Sequence, residues 1–176
     1  MPAQEKQILS SLEIIADTRE QVNEHVLRYF EEKKVKTVNR ALGVGDYSAQ
    51  VLGGRWTAEN HIVIERKGSL DELASNITTG RQRLESEFMR AFSRKIKVHL
   101  LIEGAAWGDI YSHNYRSKLD PKSFIGTLLS WWDKYNLSIT FCKPSESGRI
   151  IYGILYYHVR NAIQSGEYFG EIGGKQ

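Results

Sequence analysis

The sequence predicts an α/β fold in which helices cover both faces of a mixed central sheet. Strand-like apolar runs alternate with segments of helical periodicity along the chain, the pattern of layered sheet and helix. Two of the runs, "GDYSAQVL" and "HIVIERK", are separated only by "GGRWTAEN". That separator holds a Gly-Gly pair and polar residues, so it reads as a hairpin connection and makes part of the sheet antiparallel. A chain of 176 residues, 41% hydrophobic and 26% charged, also suits one domain with its own core.

Each element has its own signal. "SLEIIAD" reads as a buried strand ending at Asp17. "REQVNEHVLRYFEEKK" follows with Val22, Val26, Leu27 and Phe30 at helical spacing. "VKTVNRAL" is a second strand, and the hairpin supplies the next two. Ser69 opens a helix, with Glu72 three residues on in a capping-box pattern. Gly80 interrupts that helix, and "RQRLESEFMRAF" resumes it with Leu84, Phe88 and Phe92 on one face. "KVHLLIEG" is a central strand, and "AAWGDIYSHNYRSKL" is a polar, aromatic loop. Asp120 and Pro121 supply the N-cap and first position of the helix "KSFIGTLLSWWDKY". "LSITFC" is the last strand, and "SESGRIIYGILYYHVRNAIQSG" the long closing helix. The expected division is an N-terminal extension over 1–11, one domain over 12–165, and a flexible C-terminal tail over 166–176.

Composition narrows the function classes. No apolar run is long enough to span a membrane, and no signal peptide is visible at the N-terminus. The single cysteine, Cys142, excludes an internal disulfide and a Cys-based zinc site. In "LSITFC" it reads as a reduced core residue, so the expected location is intracellular. The net charge of +3 permits an anionic partner without requiring one. Arg81, Arg83, Arg90, Arg94, Lys95 and Lys97 fall in one stretch, but Glu85 and Glu87 are interspersed. On charge alone that stretch reads as a solvated helix face.

One place admits two readings: a strand end emerging into solvent, which the charged triplet alone favours, or a site, which its combination with other acids favours. The apolar "IVI" ends without a break on Glu65, Arg66 and Lys67. Side chains alternate along a strand, so Glu65 and Lys67 point to one face and Arg66 to the other. With Gly53 to Trp56 near the hairpin tip, residues whose numbers sum to about 111 face each other, and Asp46 and Glu65 are such a pair. Asp17 joins them if the first strand lies alongside. Converging carboxylates repel unless something compensates. A hard divalent cation does so, and Mg²⁺ needs only one or two protein carboxylates. An acid after a strand, an acid opening the hairpin and Glu-x-Lys closing it form the acid and (D/E)-x-K arrangement of metal-dependent nucleases. There the metal activates water and neutralises phosphate charge, and the lysine positions water or stabilises developing charge.

These residues resemble a family. Gly45-Asp46-Tyr47, then Glu65-Arg66-Lys67-Gly68-Ser69-Leu70-Asp71, match the Gly-Asp and E-R-K-x-x-x-D pattern of the XPF-type structure-specific DNA endonucleases. That family is a branch of the restriction-endonuclease-like, PD-(D/E)XK superfamily. Asp17-Thr18-Arg19-Glu20 resembles its upstream D-x-R-E, and Asn76 to Arg81 its N-x-x-G-R. The "LLIEG" strand and the helix–strand–helix close are similar too, so the resemblance runs over about residues 12–164. It implies a restriction-endonuclease-like core and a Mg²⁺-dependent endonuclease, with Mn²⁺ substituting. The substrate it implies is branched or flapped DNA in repair or recombination. A Holliday-junction resolvase or restriction-like nuclease is the alternative, and a non-catalytic DNA-binding subunit a further one.

Carried over residue by residue, Asp46 and Glu65 resemble the metal ligands, Asp17 a third acid and Glu20 a weaker one. Lys67 resembles the catalytic lysine, and Arg66 and Asp71 complete the signature. Asp71 reads equally as a first-turn acid favoured by the helix dipole, or as a partner of Arg66 or Lys67. Arg81 and Arg83 are candidate phosphate contacts. In the loop after the central strand, Tyr111, His113, Tyr115 and Arg116 are candidates for stacking on bases or meeting the backbone; the plainer reading is that the loop covers the sheet edge. Eukaryotic and archaeal relatives usually add tandem helix-hairpin-helix modules. This chain stops about a dozen residues after its last helix, so the resemblance leaves two expectations, an excised domain or a compact nuclease of bacterial or phage type, cytoplasmic in the second case. The closing helix is apolar or aromatic nearly all round, and Trp131 and Trp132 point about 100° apart. The expected consequence is a homodimer through the C-terminal helices.

Overall fold

The protein is described by a computed structural model over residues 2–166. Seven strands form one sheet among these residues, in the order β2-β1-β3-β5-β6-β7, with the short β4 paired to β3 outside that path. The strands are β1 (Glu13–Ala16), β2 (Lys36–Asn39), β3 (Tyr47–Val51), β4 (Trp56–Thr57), β5 (Ile62–Lys67), β6 (Lys97–Glu103) and β7 (Ser138–Cys142). The helices are α1 (Ala3–Ser10), α2 (Glu24–Glu32), α3 (Leu70–Thr78), α4 (Arg81–Ser93), α5 (Trp107–Tyr111), α6 (Pro121–Tyr135) and α7 (Ser147–Ser165). β1–β3 and β3–β5 are antiparallel, whereas β1–β2, β5–β6 and β6–β7 are parallel. The sheet is therefore mixed, as the hairpin requires.

Two cores lie on its two faces. Ile14, Tyr47, Ala49, Ile62, Ile64 and Leu101 turn toward α1, α2 and α7. Val63, Val98, Leu100 and Ile102 turn toward α3, α4 and α6. The alternation of Ile62, Val63 and Ile64 between clusters is the period of two written in the sequence.

Several boundaries differ from the sequence expectation. The segment from Arg19 to Asn23 is not helical. The Asp17 carboxylate accepts from the Arg19 N–H at 2.8 Å, a local turn that competes with helix. Val22 has φ 56° and is 86% exposed, not on a buried face. In α4 the buried positions are Leu84, Phe88 and Ala91, and Phe92 is 49% exposed. The stripe steps by four and then three, so Ala91 takes the inward place near the helix end. α1 carries no strong sequence signal, yet Ile8 and Leu9 join the first core. The expected loop after β6 contains α5, whose Asp109 carboxylate accepts from the Ala106 N–H at 2.7 Å. The caps at Ser69 and Asp120 both form, with Glu72 N–H and Ser123 N–H as donors. Residues 167–176 of the expected tail lie outside the described residues. Among the described residues no helix is long and apolar enough to cross a membrane.

Candidate active site

The hairpin register decides what meets at the end of β5. Tyr47 pairs with Ile64, and the Asp46 N–H donates to the Ile64 carbonyl at 2.8 Å. Near the tip the register is different, with Val51 opposite Trp56. A single 3₁₀ turn, Ala58–Asn60, absorbs the offset. The Asp17 N–H then donates to the Asp46 carbonyl at 2.8 Å. Asp17, Asp46 and Glu65 therefore stand at neighbouring ends of β1, β3 and β5.

Gly45 sets Asp46 in place. Its φ is +74°, and a Cβ there would lie 2.8 Å from Val63 Cβ. Only glycine fits both the backbone conformation and the space. The Asp46 Oδ2 then accepts the Arg66 N–H at 2.7 Å.

All of β5 is buried, including its charged end. Glu65 and Lys67 follow Val63 to the α3/α4 side. Lys67 Nζ donates to Glu65 Oε1 at 2.7 Å and lies 3.6 Å from Glu72 Oε1. Arg66 follows Ile64 to the α2 side. Its Nε donates to Glu20 at 2.7 Å and its Nη1 to Glu103 at 2.9 Å. Its Nη2 also reaches the carbonyls of Gln21 and Val22. Glu103 Oε1 is in turn 2.9 Å from His25 Nε2.

These contacts open onto a polar cleft of about 200 Å³, lined by Asp17, Glu20, Asp46, Glu65, Lys67, Glu72, Arg83 and Glu87 among others. Burial, with the neighbouring Glu65 and Glu20 carboxylates, pushes the Asp46 carboxyl well above its usual range. Burial also raises Glu65, although Lys67 works against it. Burial opposes the Lys67 charge, but the Glu65 carboxylate outweighs it and the pKa rises. The cleft thus holds two carboxyl groups that resist ionising together.

A Mg²⁺ ion fits this donor set. Asp46 Oδ1 and Glu65 Oε2 receive no protein hydrogen bond among the described residues, and a cation would favour both ionised forms. Two carboxylates and retained waters are what Mg²⁺ commonly uses. No group of three His, Cys, Asp or Glu side chains suited to an ion occurs among the described residues. Asp17, expected as a third ligand, is otherwise engaged. Its oxygens accept from Arg19 Nε and Nη2 at 2.8 and 2.9 Å and from the Leu42 N–H at 2.6 Å. Burial opposes its charge, and the Arg19 and Leu42 contacts outweigh that and lower its pKa.

The other predicted residues divide. Glu20 lines the cleft and holds Arg66. Arg83 lines it too, whereas Arg81 pairs with Glu85 at 3.0 Å on the helix surface. Asp71 meets neither Arg66 nor Lys67. It accepts from the Arg116 N–H, Arg116 Nε and the Ser117 N–H at 2.8, 3.0 and 2.9 Å, tying the later loop to α3. Tyr115 is packed edge-on against Phe124, and its hydroxyl donates to the Leu119 carbonyl. It is a cover for the second core rather than an open stacking surface. Tyr111 is exposed.

Sequence reasoning missed Glu72 and Glu87 as cleft walls and Glu103 as the partner of Arg66. Glu103 had a signal: it ends β6, whose register sets Lys67 against Ile102. Glu87 had none, because it reaches the cleft only through helix packing.

The family model described as the ERCC4 domain matches residues 16–154. The solved structure of XPF from Aeropyrum pernix is similar at 20% identity and a TM-score of 0.63, over 83% of this chain and 61% of that one. XPF from Aeropyrum pernix in complex with DNA is similar at 19% identity and a TM-score of 0.61, over 85% of this chain and 66% of that one. This chain therefore spans about two thirds or less of either. No curated protein matches it.

Proposed function

Because this chain belongs to the ERCC4 domain family, of which it carries an XPF-type nuclease domain, we propose that it is a metal-dependent DNA endonuclease. The observation that carries this reading is the convergence of Asp46, Glu65 and Lys67 in one polar cleft. Asp46 and Glu65 would hold Mg²⁺, with Mn²⁺ substituting. The bound cation supplies a water of lowered pKa and neutralises charge on the phosphate.

The chain's own residues do the remaining work. Lys67, kept charged by Glu65, presents an ammonium that orients the attacking water or meets charge developing on the phosphoryl oxygens. Arg66 does not face the scissile bond in this reading. Its backbone N–H fixes Asp46, and its side chain anchors the end of β5.

The proposed substrate is branched or flapped DNA. The chain would act as a homodimer through the α6 and α7 surface, where Leu129, Trp132 and Tyr157 are exposed. One assay tests the core of the reading: labelled flaps, forks, four-way junctions and plain duplex with Mg²⁺ or EDTA. Cuts in the flaps and forks that EDTA abolishes are expected. Cleavage restricted to four-way junctions would instead mark a resolvase, and DNA binding without cleavage in either metal would mark a non-catalytic subunit. Light scattering tests the dimer: the parent should give twice the 20.2 kDa chain mass, and Ile154→Glu should give the monomer.

A further inference from the structure

We infer that the cleft continues into a phosphate-binding groove between α4 and the 40–45 loop, where Arg90 and Arg94 hold the DNA backbone beside the cut. This inference rests on the endonuclease reading above. The active cleft is lined on one side by Gly43, Val44 and Arg83. A second cavity, of about 290 Å³, is lined by Gly43, Val44, Arg40, Glu59 and Arg94. The two cavities adjoin at Gly43 and Val44, which line both, and in this proposal they join as one groove along that loop.

α4 is the wall. Arg83, Glu87, Arg90 and Arg94 recur at alternating intervals of four and three, so they form one stripe. The stripe about 100° round the helix, Leu84, Phe88 and Ala91, is buried. Arg83 and Glu87 line the cleft and Arg94 lines the second cavity, which places Arg90 between them. The three arginines are exposed, and no ion pair involves any of them among the described residues. The helix rises about 16 Å from residue 83 to residue 94. One strand of duplex carries about five phosphates over that axial length.

The acids that make this stretch look neutral in the sequence are used elsewhere. Glu85 accepts from Arg81 and from Trp131 Nε1 at 2.8 Å, off the stripe. Glu87 sits at the cleft end, where its charge acts on Arg19 and Glu65. Across the groove, Glu59 is neutralised by Arg40 at 2.8 Å. The far half of the groove is therefore cationic on its α4 wall. Guanidinium groups suit it, because their planar fork matches two phosphate oxygens.

The test is fluorescence anisotropy of a labelled DNA fork in EDTA at several salt concentrations. R90A/R94A should weaken binding by about tenfold and reduce the slope of log K against log salt by about 1.8, two phosphate contacts' worth. Circular dichroism should show an unchanged melting curve. K6A/K36A removes the same charge at the other end of the sheet, where Lys36 pairs with the first residue of β1. It should bind within about twofold of the parent. Parent-like binding by R90A/R94A, or an equal loss in K6A/K36A, overturns the groove. The Asp46→Asn variant separates the two readings: it should bind like the parent and not cut. If it cuts normally, the active-site assignment fails while the groove still stands on its own salt slope. If the parent binds no DNA, both fail.

Discussion

Arg66 and Lys67 are adjacent in one strand, both buried and both charged, yet the two faces of β5 treat them differently. On the α2 face Arg66 is surrounded by compensation: two carboxylates, two carbonyls, and a histidine behind Glu103. On the α3/α4 face one ammonium stands among Asp46, Glu65, Glu72 and Glu87. The first arrangement is closed and holds the strand end in place. The second crowds several carboxyl groups round one ammonium inside a cleft, a repulsion that the proposed cation would relieve. A strand end that satisfied every charge would be stable and inert.

The largest expected effect breaks the open face. Asp46→Ala or Glu65→Ala should lower the cleavage rate by about a thousandfold, since several kcal/mol of transition-state charge stabilisation would depend on the proposed cation. Single-turnover cleavage of a labelled fork measures it. Cleavage at the parental rate would remove Asp46 and Glu65 from the chemistry.

Breaking the closed face should act on stability. Arg66→Leu leaves the buried Glu103 and the half-buried Glu20 without their guanidinium partner, and losing one member of a buried ion pair costs about 3–5 kcal/mol. Urea unfolding measures it. A loss under about 1 kcal/mol would mean that water already screens the network.

The pH dependence sharpens the contrast. Asp46 and Glu65 have raised carboxyl pKa values in the folded state. The folded protein therefore binds protons more tightly than the unfolded chain there. That contribution is complete below the ordinary carboxylate range, about pH 4, and is lost as pH rises through the elevated folded values. In EDTA, the parent's melting temperature should fall over that window relative to D46N/E65Q, and Mg²⁺ should restore it. Identical profiles in the two proteins would show that the pair carries no such strain.

The smallest effect belongs to Asp71. Its contacts to Arg116 and Ser117 lie at the surface, where ion pairs are weak. Asp71→Ala should change the cleavage rate by less than about fivefold, because the residue steadies a loop outside the cleft. A loss as large as that of Asp46→Ala would place it in the site after all.

The layers of the fold, the caps at Ser69 and Asp120, and the meeting of Asp46 with Glu65 were all readable from the sequence. The reason is local. Strand and helix periods assign faces, and a hairpin brings its two strand ends together, although the Ala58–Asn60 turn, which the sequence does not announce, sets the final register. Gly45 was readable as part of a motif, but its cause, the close approach of Val63, was not.

What only the tertiary structure decided is which charges are already paired. Asp17 looks equivalent to Asp46 in the sequence, but the Leu42 amide and the Arg19 side chain occupy its oxygens. Asp71 looks in the sequence like a partner of Arg66 or Lys67, but its carboxylate holds a loop 45 residues away in the chain. Glu87 and Arg94 look like ordinary surface charge, but α4 packs so that they line the groove. Periodicity fixes the direction in which a side chain points. The partner it finds there depends on elements distant in sequence, whose packing carries no local signal.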